Sequence, residues 1–265
     1  LVALDASSGD VRWSLPVCGP EQAARKVPLG NPILAEGLLY VAAAWIEQGR
    51  PAGYKLRFTC VDAATGAEVW RSDVETRTSA KSFRAVFGDL LTLRDGALYC
   101  STGLGMVVKL DGRDGRMEWS HAYEPFPSKH RIRANPTGSA PVLANGVLAV
   151  LPRDANVVTG LDARAGAVLW RSAPILPLEL AGVRKGKALV LGKTGLYALD
   201  VRSGEVAWEV TPRENTFGSA TLRGDSLYFF TRSQAWCLEA DTGILREKRP
   251  LPETKNPIGQ VGLIG

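Results

Sequence analysis

Short apolar runs alternate with turn residues along the whole chain, and no stretch carries the apolar spacing of a helix. The runs come in a fixed order. A first run, such as NPILA (31–35), SAPVLA (139–144) or GSATLR (218–223), leads into a turn built on Gly or Asp. A second, apolar or aromatic, follows it: AEGLLYVAAA (35–44), RDGALYCSTG (94–103), ANGVLAVLPR (144–153), RKGKALVLGK (184–193) and RGDSLYFFTR (223–232). Two such runs about a short Gly or Asp turn read as a tight hairpin. A third run ends at an Asp, as in VVTGLD (157–162) and GLYALD (195–200), and a fourth ends at a Trp, as in AEVW or EVAW. The pattern predicts units of four short antiparallel strands.

The third and fourth runs are joined by a phrase that the chain writes repeatedly: Asp, Gly four residues on, Trp four further. It stands as LDASSGDVRW (4–13), VDAATGAEVW (61–70), LDGRDGRMEW (110–119), LDARAGAVLW (161–170) and LDVRSGEVAW (199–208), and in worn form as LEADTGILRE (238–247). Asp at the start of such a turn accepts from nearby backbone amides, and Gly supplies a positive φ. Asp5, Asp62, Asp111, Asp162 and Asp200, with Gly9, Gly66, Gly115, Gly166 and Gly204, therefore read as structural. The hairpin turns fall at 37, 96, 146, 186 and 225, in steps of 59, 50, 40 and 39 residues. Four-stranded units at about 40 residues are the blades of a β-propeller. A sandwich does not need one phrase at every repeat, and a β-solenoid has much shorter rungs. The two long steps require insertions, and WIEQGRPAGYK (45–55) and ETRTSAKSFR (75–84) are expected as loops. Trp13, Trp70, Trp119, Trp170 and Trp208 hold one equivalent place, which predicts one task repeated: burial between successive blades, with the motif Gly making room for the ring. Exposed platforms for sugars or bases are the alternative.

The phrase A-x-D-x-x-T-G-x-x-x-W resembles the tryptophan-docking motif of the pyrroloquinoline quinone (PQQ) type propellers. Ala3-Asp5-Gly9-Trp13, Cys60-Asp62-Thr65-Gly66-Trp70, Asp111-Gly115-Trp119, Asp162-Gly166-Trp170 and Ala198-Asp200-Gly204-Trp208 carry the likeness, and the worn copy keeps Thr242 and Gly243. The resemblance spans nearly the whole chain. It implies an all-β propeller and two kinds of function, those of BamB-type repeat proteins and of quinoprotein dehydrogenases, and it implies a periplasmic or cell-envelope location. Five complete units are expected, with partial blades at both ends, in a single domain at 1–265 that is part of a longer chain.

Composition changes this picture little. The 265 residues are 45% hydrophobic and 22% charged, enough for a substantial core. The net charge of +5 is scattered, without a dense basic tract, so nucleic acid is not expected as a partner. No apolar run approaches the roughly 20 residues that span a bilayer. Cys18, Cys60, Cys100 and Cys237 lack metal-like spacing, and Cys60 and Cys237 stand two residues before the motif acid, where other copies have Ala. Such positions suit small buried apolar groups.

In the dehydrogenases that the motif resembles, the quinone lies near the propeller axis with calcium and a catalytic Asp, and in many with a disulfide between adjacent cysteines. This chain has no adjacent cysteines. Asp89, Asp154 and Glu124 remain as carboxylates outside the motif, without a partner at a telling spacing, and His121 and His130 do not by themselves make a metal site. Neither PQQ nor calcium is expected, and no catalytic, cofactor or metal residue is assigned. An echo of Asn followed three residues later by Gly recurs in NPTGSA (135–140), NTFGSA (215–220) and NPIGQV (256–261), with Asn31 and Pro32 in a related place; turn formation or a channel mouth would each account for it. The expected function is a non-catalytic binding or scaffold propeller for a protein partner, with a PQQ-dependent oxidoreductase as the alternative. Its candidate surface is the basic-aromatic loop 121–134, where Pro125, Phe126, Pro127, Lys129, His130, Arg131 and Arg133 combine apolar and cationic groups.

Overall fold

The computed structural model describes residues 1–16, 24–46, 53–79, 87–88, 90–123, 137–152 and 155–251. The chain divides into two compact units, Leu1–Ala140 with Pro152–Asp154, and Pro141–Leu151 with Ala155–Gly265. Among the described residues there is no helix.

The first unit opens with a two-stranded sheet, β1 (Val2–Leu4) and β2 (Val11–Ser14). A five-stranded sheet follows, made of β3 (Ala24–Pro28), β4 (Ile33–Ala35), β5 (Leu38–Ile46), β6 (Gly53–Asp62) and β7 (Glu68–Ser79). Both β3 and β4 pair with β5, so its first strand is split in two. The break falls at Leu29–Pro32, where Gly30 is left-handed and Pro32 has no N–H to give a ladder. Next come β8 (Phe87–Gly88), then the four-stranded sheet of β9 (Leu91–Arg94), β10 (Ala97–Ser101), β11 (Met106–Asp111) and β12 (Met117–Ala122), and β13 (Thr137–Gly138), which pairs parallel with β8. Leu56, Phe58, Cys60, Leu98, Cys100 and Leu110 are all fully buried in one core between the five- and four-stranded sheets.

The second unit repeats the antiparallel four-stranded sheet three times. The first holds β14 (Val142–Ala144), β15 (Val147–Val150), β16 (Thr159–Asp162) and β17 (Val168–Arg171). The second holds β18 (Pro177–Arg184), β19 (Lys187–Gly192), β20 (Leu196–Asp200) and β21 (Val206–Val210). The third holds β22 (Thr216–Arg223), β23 (Ser226–Thr231), β24 (Gln234–Glu239) and β25 (Leu245–Pro250). One core lies between the first and second of these sheets and another between the second and third. The five expected complete units are thus present, after an outer pair of strands at the start; the partial strand expected at 256–265 lies outside the described residues.

The hydrophobic pattern follows from place within a sheet. The second strands β10 and β15 are buried at every residue, because both of their faces are covered, and they read as unbroken apolar runs. The outer strands β12 and β17 are buried only at Trp119 and Trp170, which turn inward; His121 and Val168 are half-buried and the rest exposed. The hairpins between first and second strands have two-residue loops. Glu36–Gly37, Asp95–Gly96, Asn145–Gly146 and Lys185–Gly186 are left-handed at both positions, as a type I′ turn requires, while Gly224–Asp225 is left-handed only at Gly224, as in type II′.

The expected loops at 45–55 and 75–84 need correction. Trp45 and Ile46 finish β5, Gly53–Lys55 begin β6, and residues 75–79 belong to β7; positions 47–52 and 80–84 lie outside the described residues. Two of the polar residues in those segments are cross-strand partners: Lys55 sits opposite Glu75 in the ladder, its ammonium 3.5 Å from the carboxylate, and beside them Arg57 faces Asp73 with Nη2 to Oδ2 at 2.7 Å. Burial of Trp45 (4% exposed) and Tyr54 (1%) rewards continued pairing.

The repeated phrase closes the same turn six times. Gly9, Gly66, Gly115, Gly166, Gly204 and Gly243 each donate N–H to the carbonyl of the acid four residues earlier, at 2.8–2.9 Å. Each of these glycines is left-handed. A bulge follows in every copy, which sets the Trp opposite the residue two before the acid: Ala3 with Trp13, Cys60 with Trp70, Lys109 with Trp119, Gly160 with Trp170 and Ala198 with Trp208. The ring then reaches the next copy of the phrase. Trp13 Nε1 donates to Ala63 O at 3.1 Å, Trp70 to Gly112 O at 2.9 Å and Trp170 to Val201 O at 2.8 Å, each acceptor lying one residue past the next motif acid. The ring face lies on the next motif Gly so closely that an added Cβ would come within 2.6 Å of Trp13 at Gly66, 2.4 Å of Trp70 at Gly115 and 2.5 Å of Trp170 at Gly204. Trp70, Trp119 and Trp170 are buried, whereas Trp13 and Trp208 are half-buried.

Two outcomes follow from this contact. Trp170→Ala should destabilise the protein by about 3–5 kcal/mol in denaturant melts, as large-to-small core changes do. Gly9 and Gly204 are both left-handed, but only Gly204 faces a ring. Gly9→Ala should therefore cost about 1–2 kcal/mol for the backbone alone, and Gly204→Ala about 1–3 kcal/mol more for the overlap; equal losses would mean that the ring contact carries no weight. A third outcome concerns acid. Hydrogen bonds from the Ser7 side chain and the Ser7 and Ser8 amides, with Arg12, hold the Asp5 carboxyl at about 2, and Asp62 and Asp111 are lowered by Thr65 and Arg113 respectively. A carboxyl depressed in the folded state contributes stability above its unfolded value near 4, and that contribution is lost as pH falls toward about 2. Thermal melts should drop over this window, and Asp62→Asn, which keeps an acceptor but no charge, should flatten part of the drop.

Candidate functional site

The motif carboxylates are engaged by their own turns. Asp5, Asp62, Asp111, Asp162 and Asp200 each accept at Oδ1 from the amide two residues on, at 2.8–3.1 Å. The same carboxylates gain a second amide from Ser8, Thr65, Ala165 and Ser203 in four of the copies. A carboxylate held this way has one oxygen fixed toward the backbone of its own turn.

The cysteines are as the sequence suggests at two positions. Cys60 and Cys100 are free thiols at 0% exposure, and burial pushes both well above the ordinary thiol range. Cys237 is a free thiol but only half-buried, because its cross-strand partner is Glu247 where other copies have the Trp ring. The small residue at this place has a reason that the sequence alone does not show: it lies under the indole across the ladder. At Gly160 an added Cβ would meet Trp170 Cε2 at 2.1 Å. Lys109 departs from the rule by turning its ammonium to Glu118 at 2.8 Å and over the Tyr99 ring at 5.7 Å.

Other candidates separate. His121 lies half-buried on β12, opposite Val107, not in a loop, and β12 runs on to Ala122. His130, with Phe126, Lys129, Arg131 and Arg133, lies outside the described residues, as do Glu124, Asp89 and Asp154. Residues 216–220 of the Asn-x-x-Gly echo form the start of β22, Thr137 and Gly138 form β13, and Asn31 and Pro32 are exposed ahead of β4. Among the described residues no three His, Cys, Asp or Glu side chains gather in a way that would hold a metal ion.

Sequence reading missed a polar cluster on the last sheet. Arg246 binds Asp225 through Nη1 and Nη2, both at 2.9 Å, and reaches Glu239 at 3.2 Å. The Arg246 bonds draw the Asp225 carboxyl down to about 2. The signal was the worn motif itself, where Glu239 replaces Asp and Arg246 precedes the lost Trp.

The family model described as outer membrane protein assembly factor BamB matches residues 35–170 and 127–262. BamB of Yersinia pestis is 23% identical over 158 residues, which is 56% of this chain and 37% of that protein. Quinohemoprotein alcohol dehydrogenase ADH IIB of Pseudomonas putida is 26% identical over 171 residues, 58% of this chain and 22% of the enzyme. These matches span well under half of the curated relatives' length. The crystal structure of BamB from Moraxella catarrhalis aligns over 86% of this chain and 78% of its own, with 15% identity and a TM-score of 0.52. No helix among the described residues is long and apolar enough to cross a membrane. The fold class is all-β, a propeller of four-stranded antiparallel blades. From the family match over residues 35–262, the chain belongs to the BamB-type family of PQQ-like propeller repeat proteins.

Proposed function

We propose that the chain is a non-catalytic scaffold propeller that binds a protein partner in the bacterial cell envelope. The observation that carries this reading is the use made of the motif side chains. Carboxylates that would be candidates for general-base or metal work accept from their own turns, and the indoles of Trp13, Trp70 and Trp170, which would be candidates for exposed platforms, donate to the next motif's carbonyl. The match to a family model named for outer membrane protein assembly supports the same reading. Recognition then falls to loops carried by a rigid scaffold. The segment 124–134, with Phe126, Lys129, His130, Arg131 and Arg133, has the mixture of aromatic and cationic groups that protein interfaces favour.

A second reading rests on the 26% identity to a quinohemoprotein alcohol dehydrogenase. It gives a PQQ-dependent oxidoreductase. The two separate in one experiment, because a ligand held by the native state raises its melting temperature by mass action. PQQ with calcium chloride should leave the melting temperature unchanged, and no dye reduction should follow on adding alcohols or sugars. A saturable rise at micromolar quinone, with turnover, would replace the scaffold reading by the enzyme. Charge reversal at Lys129, Arg131 and Arg133 should abolish crosslinking to envelope proteins, with the melting temperature measured alongside to check that the fold is kept.

A further inference from the structure

The seam between the β18–β21 and β22–β25 sheets differs in kind from the other seam of its unit. At the latter, between β14–β17 and β18–β21, Trp170 is buried on Gly204 and its indole donates to Val201. Trp208 also lies over the next motif Gly, with an added Cβ at Gly243 meeting its ring at 2.8 Å. Yet Trp208 is only half-buried, and its Nε1 is shielded from solvent without a hydrogen-bond partner. An indole N–H in that condition forfeits the bond that its counterpart at Trp170 makes, and leaving a buried donor unmade is costly.

The same seam carries a set of ionic contacts. Asp241 stands two residues after the acid of the worn motif, and its carboxylate receives Arg184 Nε at 3.0 Å and Lys185 Nζ at 2.6 Å. Arg184 also donates Nη1 to Gly224 O at 2.9 Å, so one guanidinium holds both turns of the last sheet. The Asp241 side chain is 14% exposed and that of Arg184 28%, which makes this more than a fully solvated surface pair. Two backbone amides cross the same seam farther along the strands: Ala220 N–H donates to Glu179 Oε2 at 3.2 Å and, at the far end of β22, Thr216 N–H to Lys193 O at 3.2 Å.

We propose that this seam is a salt-sensitive joint, in which the Arg184–Lys185–Asp241 clamp stands in for the missing indole bond and the two sheets part here first when charges are screened. Apolar contacts hold firm or tighten in moderate salt, whereas partly exposed ion pairs weaken as the Debye length shrinks from about 10 Å at 0.1 M toward about 3 Å at 1 M. A seam that relies on the clamp therefore responds to salt in the opposite sense from one closed by a complete indole contact.

The test is amide hydrogen exchange on the whole chain in 50 mM and 1 M sodium chloride. Protection at Ala220 and Thr216 should fall about five- to tenfold in the higher salt, as partly exposed ion pairs are screened. Amides inside the β18–β21 ladder, such as Val190 and Ala198, should not change. Asp241→Asn keeps the shape and removes the charge, so it should lower protection at Ala220 and Thr216 in 50 mM salt and remove their response to more. Lys185→Gln, at an exposed turn position, offers a milder version and should halve the response even if Asp241→Asn fails to fold. A fall shared by the control amides, an absence of salt response, or a response unchanged in Lys185→Gln would overturn the proposal.

Discussion

At three of the repeats one residue joins neighbouring sheets, the one that follows the motif acid. Its N–H and its carbonyl face two different parts of the chain. The amide of Ala63 donates to Gly37 O, that of Gly112 to Gly96 O and that of Val201 to Gly186 O, at 2.8–2.9 Å, which ties the motif turn to the hairpin turn of its own sheet. The carbonyls of the same three residues receive the indole of the preceding repeat. A sheet is thereby fastened to itself and to its neighbour at one corner. Satisfying buried backbone groups is obligatory, so once the Trp occupies that place its ring position is fixed along with its hydrogen bond.

This constraint explains the rest of the phrase. Gly is required twice over at 66, 115 and 204, because the turn needs a left-handed residue and the ring leaves no room for a Cβ. At Gly9, with nothing within 4 Å of an added Cβ, only the first reason applies. The acid earns its place through the turn amides, and the small residue two positions before it lies across the ladder from the ring. Where the phrase wears out at 238–247, the backbone turn survives through Gly243 and Glu239, but the side chains change roles. Thr242 Oγ1 donates to Glu239 at 2.7 Å, and Arg246 reaches over to Asp225. An exposed edge strand rich in Arg, Lys and Glu replaces the one with an inward Trp, a composition that also discourages pairing with other chains.

The scaffold reading is a statement about how such a molecule divides its residues. The motif carboxylates hold turns, three of the indoles hold seams, and second strands such as β10 and β15 are buried on both faces. That leaves connecting segments as the part of the chain free to diversify, on elements whose positions are set by repeated, nearly identical corners. Family membership is carried by the corners, and it is silent on what the connecting segments recognise.

The sequence by itself determined the number of complete units, the order of strands within each, the hairpin and motif turns, and the family. These are legible because each depends on local chemistry repeated in register: a Gly with positive φ, an Asx-type turn, a two-face apolar run. Tertiary structure decided what local chemistry does not specify. Trp45 and Tyr54 read as parts of a polar insertion, yet their burial draws the ladder of β5 and β6 outward. His121 reads as a loop residue, yet pairing with Val107 keeps it in β12. Nothing in the five tryptophans' common spacing separates Trp170 from Trp208, since the difference lies in whether the next motif's carbonyl meets the indole. Asp241 looks like a stray acid in a worn repeat; only the approach of Arg184 and Lys185, 57 and 56 residues away along the chain, makes it part of a joint. Contacts between residues so far apart in sequence depend on how neighbouring sheets are set side by side, and local pattern carries no record of that.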